Sequence, residues 1–228
     1  SGFHGRRCGS PIACGCPGEW LRGDVLGILA ARALGIDAIA IPVSCNSAAE
    51  KSGYFKQVLR TRIGSPFVIE GMESLAKRER WLVAGYEANG GFLLQSDLIR
   101  GDKTLRALPT RDALLPVIAV LAESRLRRTT IAALSAELPP RYTASDRLKD
   151  FPTEFGRARL ADFVAGGKEV LADRVRRWFG DLCGEFADVD MTDGVRLIFT
   201  NGEIVHLRVS GNAPELRCYN EADRMERV

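Results

Sequence analysis

Two short glycine-bearing segments concentrate the groups in this chain that could do chemistry. The first is Gly85-Tyr86-Glu87-Ala88-Asn89-Gly90-Gly91, where a carboxylate and an amide stand between glycines that let backbone approach a ligand closely. Glu87 offers acceptors to pairs of hydroxyls, as in sugar recognition, and Asn89 can both donate and accept. The plain alternative is a hairpin loop in which the glycines only make the turn. The second segment is Arg208-Val209-Ser210-Gly211-Asn212-Ala213-Pro214. Here a guanidinium, a hydroxyl, an amide and backbone N–H groups gather on one tight loop, the donor-rich set that a phosphate dianion requires. Arginine suits that task because its planar fork donates two parallel bonds. Each such charge-assisted bond contributes about 1.5–3 kcal/mol. A polar turn carrying a surface arginine is the plain alternative here.

Regular elements must deliver both loops. LRGDVLGILAARALG reads as an amphipathic helix with Gly35 past its end, where glycine accepts the left-handed cap cheaply. DAIAIPV is a short buried strand, and Asn46 or Ser47 can cap a second helix, Ser47 and Glu50 having capping-box spacing. Ser65-Pro66 opens a third helix through Lys77. WLVAG and GFLLQ are strands flanking the first loop, so the region reads as an α/β layer domain. A long apolar helix from Asp112 to Arg127 and a shorter one from Thr130 to Leu138 follow, and Pro139-Pro140 stops helical continuation. RYTASDRLKDFP is polar and turn-rich and reads as a hinge. Beyond it a helix from Lys168 to Phe179 carries Val170, Leu171, Val175 and Trp178 on one face. Thr192-Asp193-Gly194 and Asn201-Gly202 then signal hairpin turns between short strands. The expected organisation is an irregular segment 1–17, an α/β domain 18–140, a hinge 141–151 and a small α+β domain 152–228 with an antiparallel sheet.

Composition narrows the function classes. The 228 residues are 46% hydrophobic and 27% charged, values of an ordinary globular protein. No run of eighteen apolar residues exists, and the first residues lack the pattern of a secretory signal. A formal charge of +3 gives no strong field, so neither nucleic acid nor membrane is expected as a partner. Six cysteines are too few for a disulfide scaffold, and a reduced, cytoplasmic protein is expected.

GYEANGG and RVSGNAPELRCY resemble the sugar-binding and phosphate-binding loops of the α-D-phosphohexomutases, specifically a bacterial phosphomannomutase branch. RGDVLGILAARALG, PVSCNSAAE, RTRIGSPFVIEGM, LPTRDALLP and TDGVRLIFTNGEIVHLR resemble it too, in family order from Gly18 to the C-terminus. The resemblance implies a four-domain enzyme with its active site at the domain junction, moving a phosphoryl group between O1 and O6 of a hexose through a phosphoserine. This chain resembles domains three and four only, an α/β layer domain followed by a TATA-box-binding-protein-like α+β domain. Glu87 matches the glutamate that contacts sugar hydroxyls, Asn89 stands where many members have serine, and Gly90 lies in the same loop. Arg62 falls where relatives place a basic residue facing the sugar phosphate. Arg208, Ser210, Gly211 and Asn212 match the loop holding the non-reacting phosphate, where many members have threonine at the last position. The implied partner is a hexose phosphate, with no particular hexose and no oligomeric state singled out. A stand-alone phosphosugar-binding or regulatory protein is the alternative.

The resemblance also implies parts that the chain does not show. No segment resembles the phosphoserine loop, and Thr143-Ala144-Ser145, followed by Asp-Arg, reads as a polar turn with no adjacent base. No catalytic residue is therefore assigned, and no turnover is expected of this chain alone. The complete enzyme would use Mg²⁺, held by a loop just before Gly18, but no metal is expected on this chain. Gly-Arg-Arg-Cys-Gly-Ser at 5–10 can be encoded so that reading one base later yields Asp-Gly-Asp-Ala-Asp-Arg, the family's metal pattern. Segment 1–17 thus reads as a frame-shifted metal loop, and as written it supplies none of the oxygen ligands a hard cation prefers. A zinc site of His4, Cys8, Cys14 and Cys16 is the rival reading, although Cys-x-Cys lacks the usual spacing. His206 reads as a packed strand histidine before an acid–base catalyst, Cys45 and Cys183 as small buried hydrophobes, and Cys218 as a strand residue.

Overall fold

The computed structural model describes residues 20–228, so the proposed metal loop and the zinc set fall outside the described residues. The chain divides into two units at Pro139/Pro140. In the first, helix α1 (Gly23–Leu34) leads to strand β1 (Ala38–Pro42), then α2 (Ala48–Lys51), β2 (Gln57–Thr61), α3 (Ser65–Arg78), β3 (Val83–Tyr86) and β4 (Phe92–Leu94). A hairpin of β5 (Leu98–Arg100) and β6 (Lys103–Leu105) follows, then β7 (Leu108–Asp112), α4 (Leu114–Leu126) and α5 (Ile131–Ala136). The sheet order is β2-β1-β3-β4-β7, parallel around β1 and antiparallel from β3 onward.

Period-two alternation along β1 separates two cores. Ile39 and Ile41 pack with α1, α4 and α5 residues such as Leu26, Val120 and Leu134, whereas Ala38 and Ala40 pack with Val68, Met72 and Leu75 of α3. All five β1 residues are buried, as a strand covered on both faces requires. Gly35 ends α1 in the left-handed region at φ 73°, its N–H bonding to the Ala31 and Arg32 carbonyls. Asn46 Oδ1 accepts from the Ala48 N–H at 3.0 Å, whereas Ser47 gives α2 no side-chain cap. Helix α4 is shorter than the sequence pattern suggested because Leu108–Asp112 extends along β4 as β7, and Asp112 Oδ1 accepts from Leu114 N at 2.7 Å.

The second unit runs β8 (Tyr142–Lys149), α6 (Thr153–Val164), α7 (Gly167–Phe179), β9 (Phe186–Asp190), β10 (Val195–Phe199), β11 (Ile204–Val209) and β12 (Glu215–Ala222). Its strands form one antiparallel sheet, β8-β12-β11-β10-β9. Leu171 and Val175 of α7 pack with Val195, Leu197, Phe199 and Val205, and Leu160 and Phe163 of α6 join them. Val170 and Trp178 do not, being 41% and 71% exposed. The segment expected to be a hinge, 141–151, is instead mostly edge strand β8, registered with β12 from Tyr142↔Ala222 to Lys149↔Glu215. Main-chain pairing needs no apolar run, and polar, charged side chains on an edge strand also discourage further pairing. Arg141 secures its start, with Nε 2.5 Å from Glu221 Oε1. Helix α6, unforeseen from sequence, has a ragged pattern of Phe155, Leu160, Phe163 and Val164. The architecture is an α/β layer unit followed by a small α+β unit with an antiparallel sheet, as the sequence led us to expect.

Candidate functional site

Because β1, β2 and β3 are parallel, the segments leaving their C-terminal ends (43–47, 62–64 and 87–91) lie on one edge of the sheet. That edge is where ligands bind in open α/β sheets. Glu87 begins the β3–β4 hairpin loop and is only 6% exposed. Its N–H donates to the Gly91 carbonyl at 2.9 Å, and its carbonyl accepts from Gly90 N at 3.0 Å. Ser65 Oγ donates to Glu87 Oε2 at 2.8 Å, so the first residue of α3 orients this carboxylate. Asn89 is exposed, and its Oδ1 accepts from Gly91 N at 2.9 Å, which closes the turn. Gly90 is buried against α1: a Cβ on Gly23 would lie 2.2 Å from Gly90 N. Arg62 is exposed in the β2–α3 loop, its guanidinium 4.8 Å from the Phe67 ring centroid. Thus the Ser65 bond joins the loop of Arg62 to that of Glu87.

Buried charge fixes the neighbouring β1–α2 segment. Asp24, fully buried, accepts from Val25 N and Asn46 N at 3.0 Å each and from both Arg22 Nε and Nη2 at 3.1 Å. Arg60 grips Glu50 at 2.6 and 2.8 Å and donates to the Pro42, Cys45 and Asn46 carbonyls at 3.1, 2.5 and 3.0 Å. Cys45 is 1% exposed, and burial with the Asp24 carboxylate nearby pushes its thiol well above the usual value. It is a packed thiol and no nucleophile.

In the second unit, Arg208, Ser210, Gly211 and Asn212 occupy the end of β11 and its turn into β12. Ser210 is 3% exposed, its N–H donates to the Glu215 carbonyl at 2.8 Å, and its Oγ lies 3.4 Å from Asn212 N. Gly211 and Asn212 are exposed, and a Cβ on Gly211 would meet nothing within 4 Å. Arg208 Nε stands 2.9 Å from Asp193 Oδ2, with side chains 16% and 12% exposed. His206, on the same face of β11, is 1% exposed, stacks on Tyr219 at 5.4 Å and has Nε2 2.6 Å from the Asp193 carbonyl. Since a carbonyl only accepts, Nε2 carries the proton. Burial lowers the imidazole's pKa, only partly offset by that hydrogen bond. The packed strand histidine is what the structure shows.

Ser65 and Asp193 are the two groups that the sequence did not present as functional. Ser65 was legible only as a helix start and Asp193 only as a turn residue. Among the described residues the Mg²⁺ implied by resemblance finds no fitting ligand set. Among the described residues no group of three or more His, Cys, Asp or Glu could hold a metal ion, and segment 1–17 contains no carboxylate. Among the described residues no helix is long and apolar enough to cross a membrane.

Comparison with known proteins bears on the family and the fold. Residues 22–142 match the family model of phosphoglucomutase/phosphomannomutase, alpha/beta/alpha domain III. A phosphomannomutase of Salmonella muenchen is 46% identical over 209 residues, covering 92% of this chain and 42% of the relative. A phosphomannomutase of Sinorhizobium fredii (strain NBRC 101917 / NGR234) is 40% identical over 213 residues, covering 93% of this chain and 44% of the relative. The chain therefore spans somewhat over two-fifths of the length of these relatives. Among solved structures, a phosphoglucomutase/phosphomannomutase family protein from Burkholderia thailandensis superposes with a TM-score of 0.62 at 18% identity, over 92% of this chain and 39% of that one. An Aspergillus fumigatus N-acetylphosphoglucosamine mutase, solved in complex with GlcNAc-6P and magnesium, does so with a TM-score of 0.57 at 12% identity, over 92% and 45%. A domain model matched over more than half of the chain, on an α/β unit of this topology, makes the chain a member of the phosphoglucomutase/phosphomannomutase family.

Proposed function

We propose that this chain is the hexose-phosphate-recognising part of a phosphohexomutase, an enzyme class that interconverts hexose 1-phosphate and hexose 6-phosphate. The observation that carries the reading is the opposite chemistry of the two loops. Glu87 is a nearly buried carboxylate aimed by Ser65, an acceptor for sugar hydroxyls, with Asn89, Gly90 and Arg62 beside it on the same sheet edge. The 208–212 segment presents a guanidinium, a hydroxyl and an amide around a turn with open space above Gly211, a donor set for a phosphate dianion. The protein acts in the cytoplasm, where thiols stay reduced.

Both curated relatives are phosphomannomutases, so mannose 6-phosphate is the first probe. Calorimetry on the full chain should give heat with mannose 6-phosphate, less with inorganic phosphate and least with mannose. Absence of both heat and a thermal shift with the ester overturns the reading. The sequence holds no segment like the family's phosphoserine loop, so a coupled mutase assay with Mg²⁺ and a bisphosphate primer should show no turnover. Measurable turnover would refute that part.

A further inference from the structure

We propose that Asp193 is a positioning residue of the anion-binding loop, holding the Arg208 guanidinium from its Nε side so that the outer Nη groups address a phosphate. The inference rests on reading Arg208 as a phosphate ligand. Four observations on the second unit lead to it. The closest approach of the pair, 2.9 Å, is at Nε, and both side chains are largely screened from water. The Nε–H is buried yet satisfies no hydrogen bond, so charge holds the contact and aligned donation does not.

The turn carrying Asp193 is built against Arg208. Asp190 Oδ1 accepts from Thr192 N at 2.9 Å at its start. Gly194 then adopts φ 87°, where a Cβ would stand 2.4 Å from the Leu207 carbonyl and 3.1 Å from Arg208 Cα. Only glycine lets the turn lie this close to β11. His206 fixes the Asp193 backbone through its carbonyl, and Tyr219 stacks on His206. The backbone that carries the carboxylate is thereby fixed independently of the Arg208 side chain.

Like charge makes such an anchor necessary. Arg208 is registered directly opposite Arg217 on β12, and Arg217 is registered opposite Arg147 on β8. Cross-strand like charges repel. Arg217 and Arg147 share Glu215, at 3.1 and 2.9 Å, Arg196 has Asp190 at 3.9 Å, and Asp193 fills that role for Arg208. A long side chain oriented before the ligand arrives loses less freedom on binding.

A double-mutant cycle on the full chain, titrated with inorganic phosphate and with mannose 6-phosphate, tests the proposal. Arg208→Ala should weaken phosphate-dependent binding about tenfold or more, and Asp193→Asn about three- to tenfold. Asp193→Asn in the Arg208→Ala background should change affinity less than twofold, and Asp193→Glu should recover part of what the amide loses. Thermal melts of each variant separate lost orientation from lost fold, and if the amide variant does not fold, the glutamate variant and the cycle built on it decide. Affinity that is unchanged or tighter in Asp193→Asn would overturn the proposal, because the carboxylate would then be idle or a competitor for Arg208. An equal loss with and without Arg208 would also overturn it, as would failure of Asp193→Glu to recover any affinity. If Arg208→Ala changes nothing, the phosphate-loop reading itself falls, a result distinct from failure of Asp193 alone.

Discussion

Substituting Gly23 by alanine sets two known effects against each other on the 87–91 loop. A Cβ there would lie 2.2 Å from Gly90 N and 2.6 Å from both the Ala88 carbonyl oxygen and Gly90 Cα. These are backbone atoms, so no side-chain rotation relieves the overlap. Ordinary contact is about 3.5–4.0 Å, and helix and loop must separate by more than about 1 Å. Overpacking of this kind costs about 1–3 kcal/mol. Against it stands the gain from replacing glycine in a helix, about 1 kcal/mol in the interior and less at the first residue of α1. The clash wins, with a net loss of about 1–2 kcal/mol.

For a unit of this size the loss lowers the melting temperature by about 3–10 °C. The ligand effect is more specific. Moving the 88–90 segment carries Glu87 off the 2.8 Å bond that Ser65 donates. Thermal unfolding and calorimetry should therefore show a lower Tm and a mannose 6-phosphate affinity reduced to that of inorganic phosphate, with the latter unchanged. A raised Tm with undiminished preference for the sugar ester would show that the loop tolerates the methyl group and that its placement does not govern recognition.

Two further substitutions test the surroundings of each loop. Arg60→Met removes the donor shared by three carbonyls and Glu50, so the β1–α2 segment should loosen and stability should fall by about 3 kcal/mol or more, read by urea unfolding; a loss under about 1 kcal/mol would show that water replaces the guanidinium without cost. His206 is buried and neutral beside Asp193, Arg196, Arg208 and Tyr219, with its pKa below the usual 6.5. The unfolded chain therefore takes up a proton that the folded chain refuses, and stability is intact above pH 6.5 and declines as pH falls through that value, by at most about 1.4 kcal/mol per pH unit. His206→Gln should flatten that slope between pH 6.5 and 5.5 in denaturant melts, and an unaltered slope would assign it elsewhere.

Local signals made much of this architecture readable in advance. Gly35 past α1, the Thr192–Gly194 and Asn201–Gly202 turns, and the alternation of apolar runs all correspond to short-range backbone requirements that few residue types meet. What escaped depends on tertiary pairing. Strand β8 carries Thr, Ser, Asp, Arg and Lys because an edge strand is held by β12 main chain, so its composition looks like a linker. Strand β7 hid in front of an apolar helix, and α6 buries too ragged a stripe to announce itself. Both loops that could meet a ligand were visible because glycine and polar groups crowd them. The residues that aim those groups were not, since Ser65 is 22 positions from Glu87 and Asp193 is on a different hairpin from the loop it serves.

That division of labour has a physical basis. A loop carrying ligand-facing groups leaves many of its own backbone donors and acceptors committed to the turn, as Gly90, Gly91 and Ser210 are here. Few partners remain within it to hold a long side chain in one rotamer. The restraint must come from an adjacent element with the complementary group: a hydroxyl donor for the carboxylate of Glu87, a carboxylate for the guanidinium of Arg208. In each case the supporting residue opens or closes a tightly specified piece of backbone, the first turn of α3 or the Gly194 turn, whose position the fold fixes independently of ligand. Exchanging the supports would fail. A carboxylate beside Glu87 would repel it, and a hydroxyl beside Arg208 would leave its guanidinium opposite Arg217, whose own carboxylate, Glu215, is already shared with Arg147.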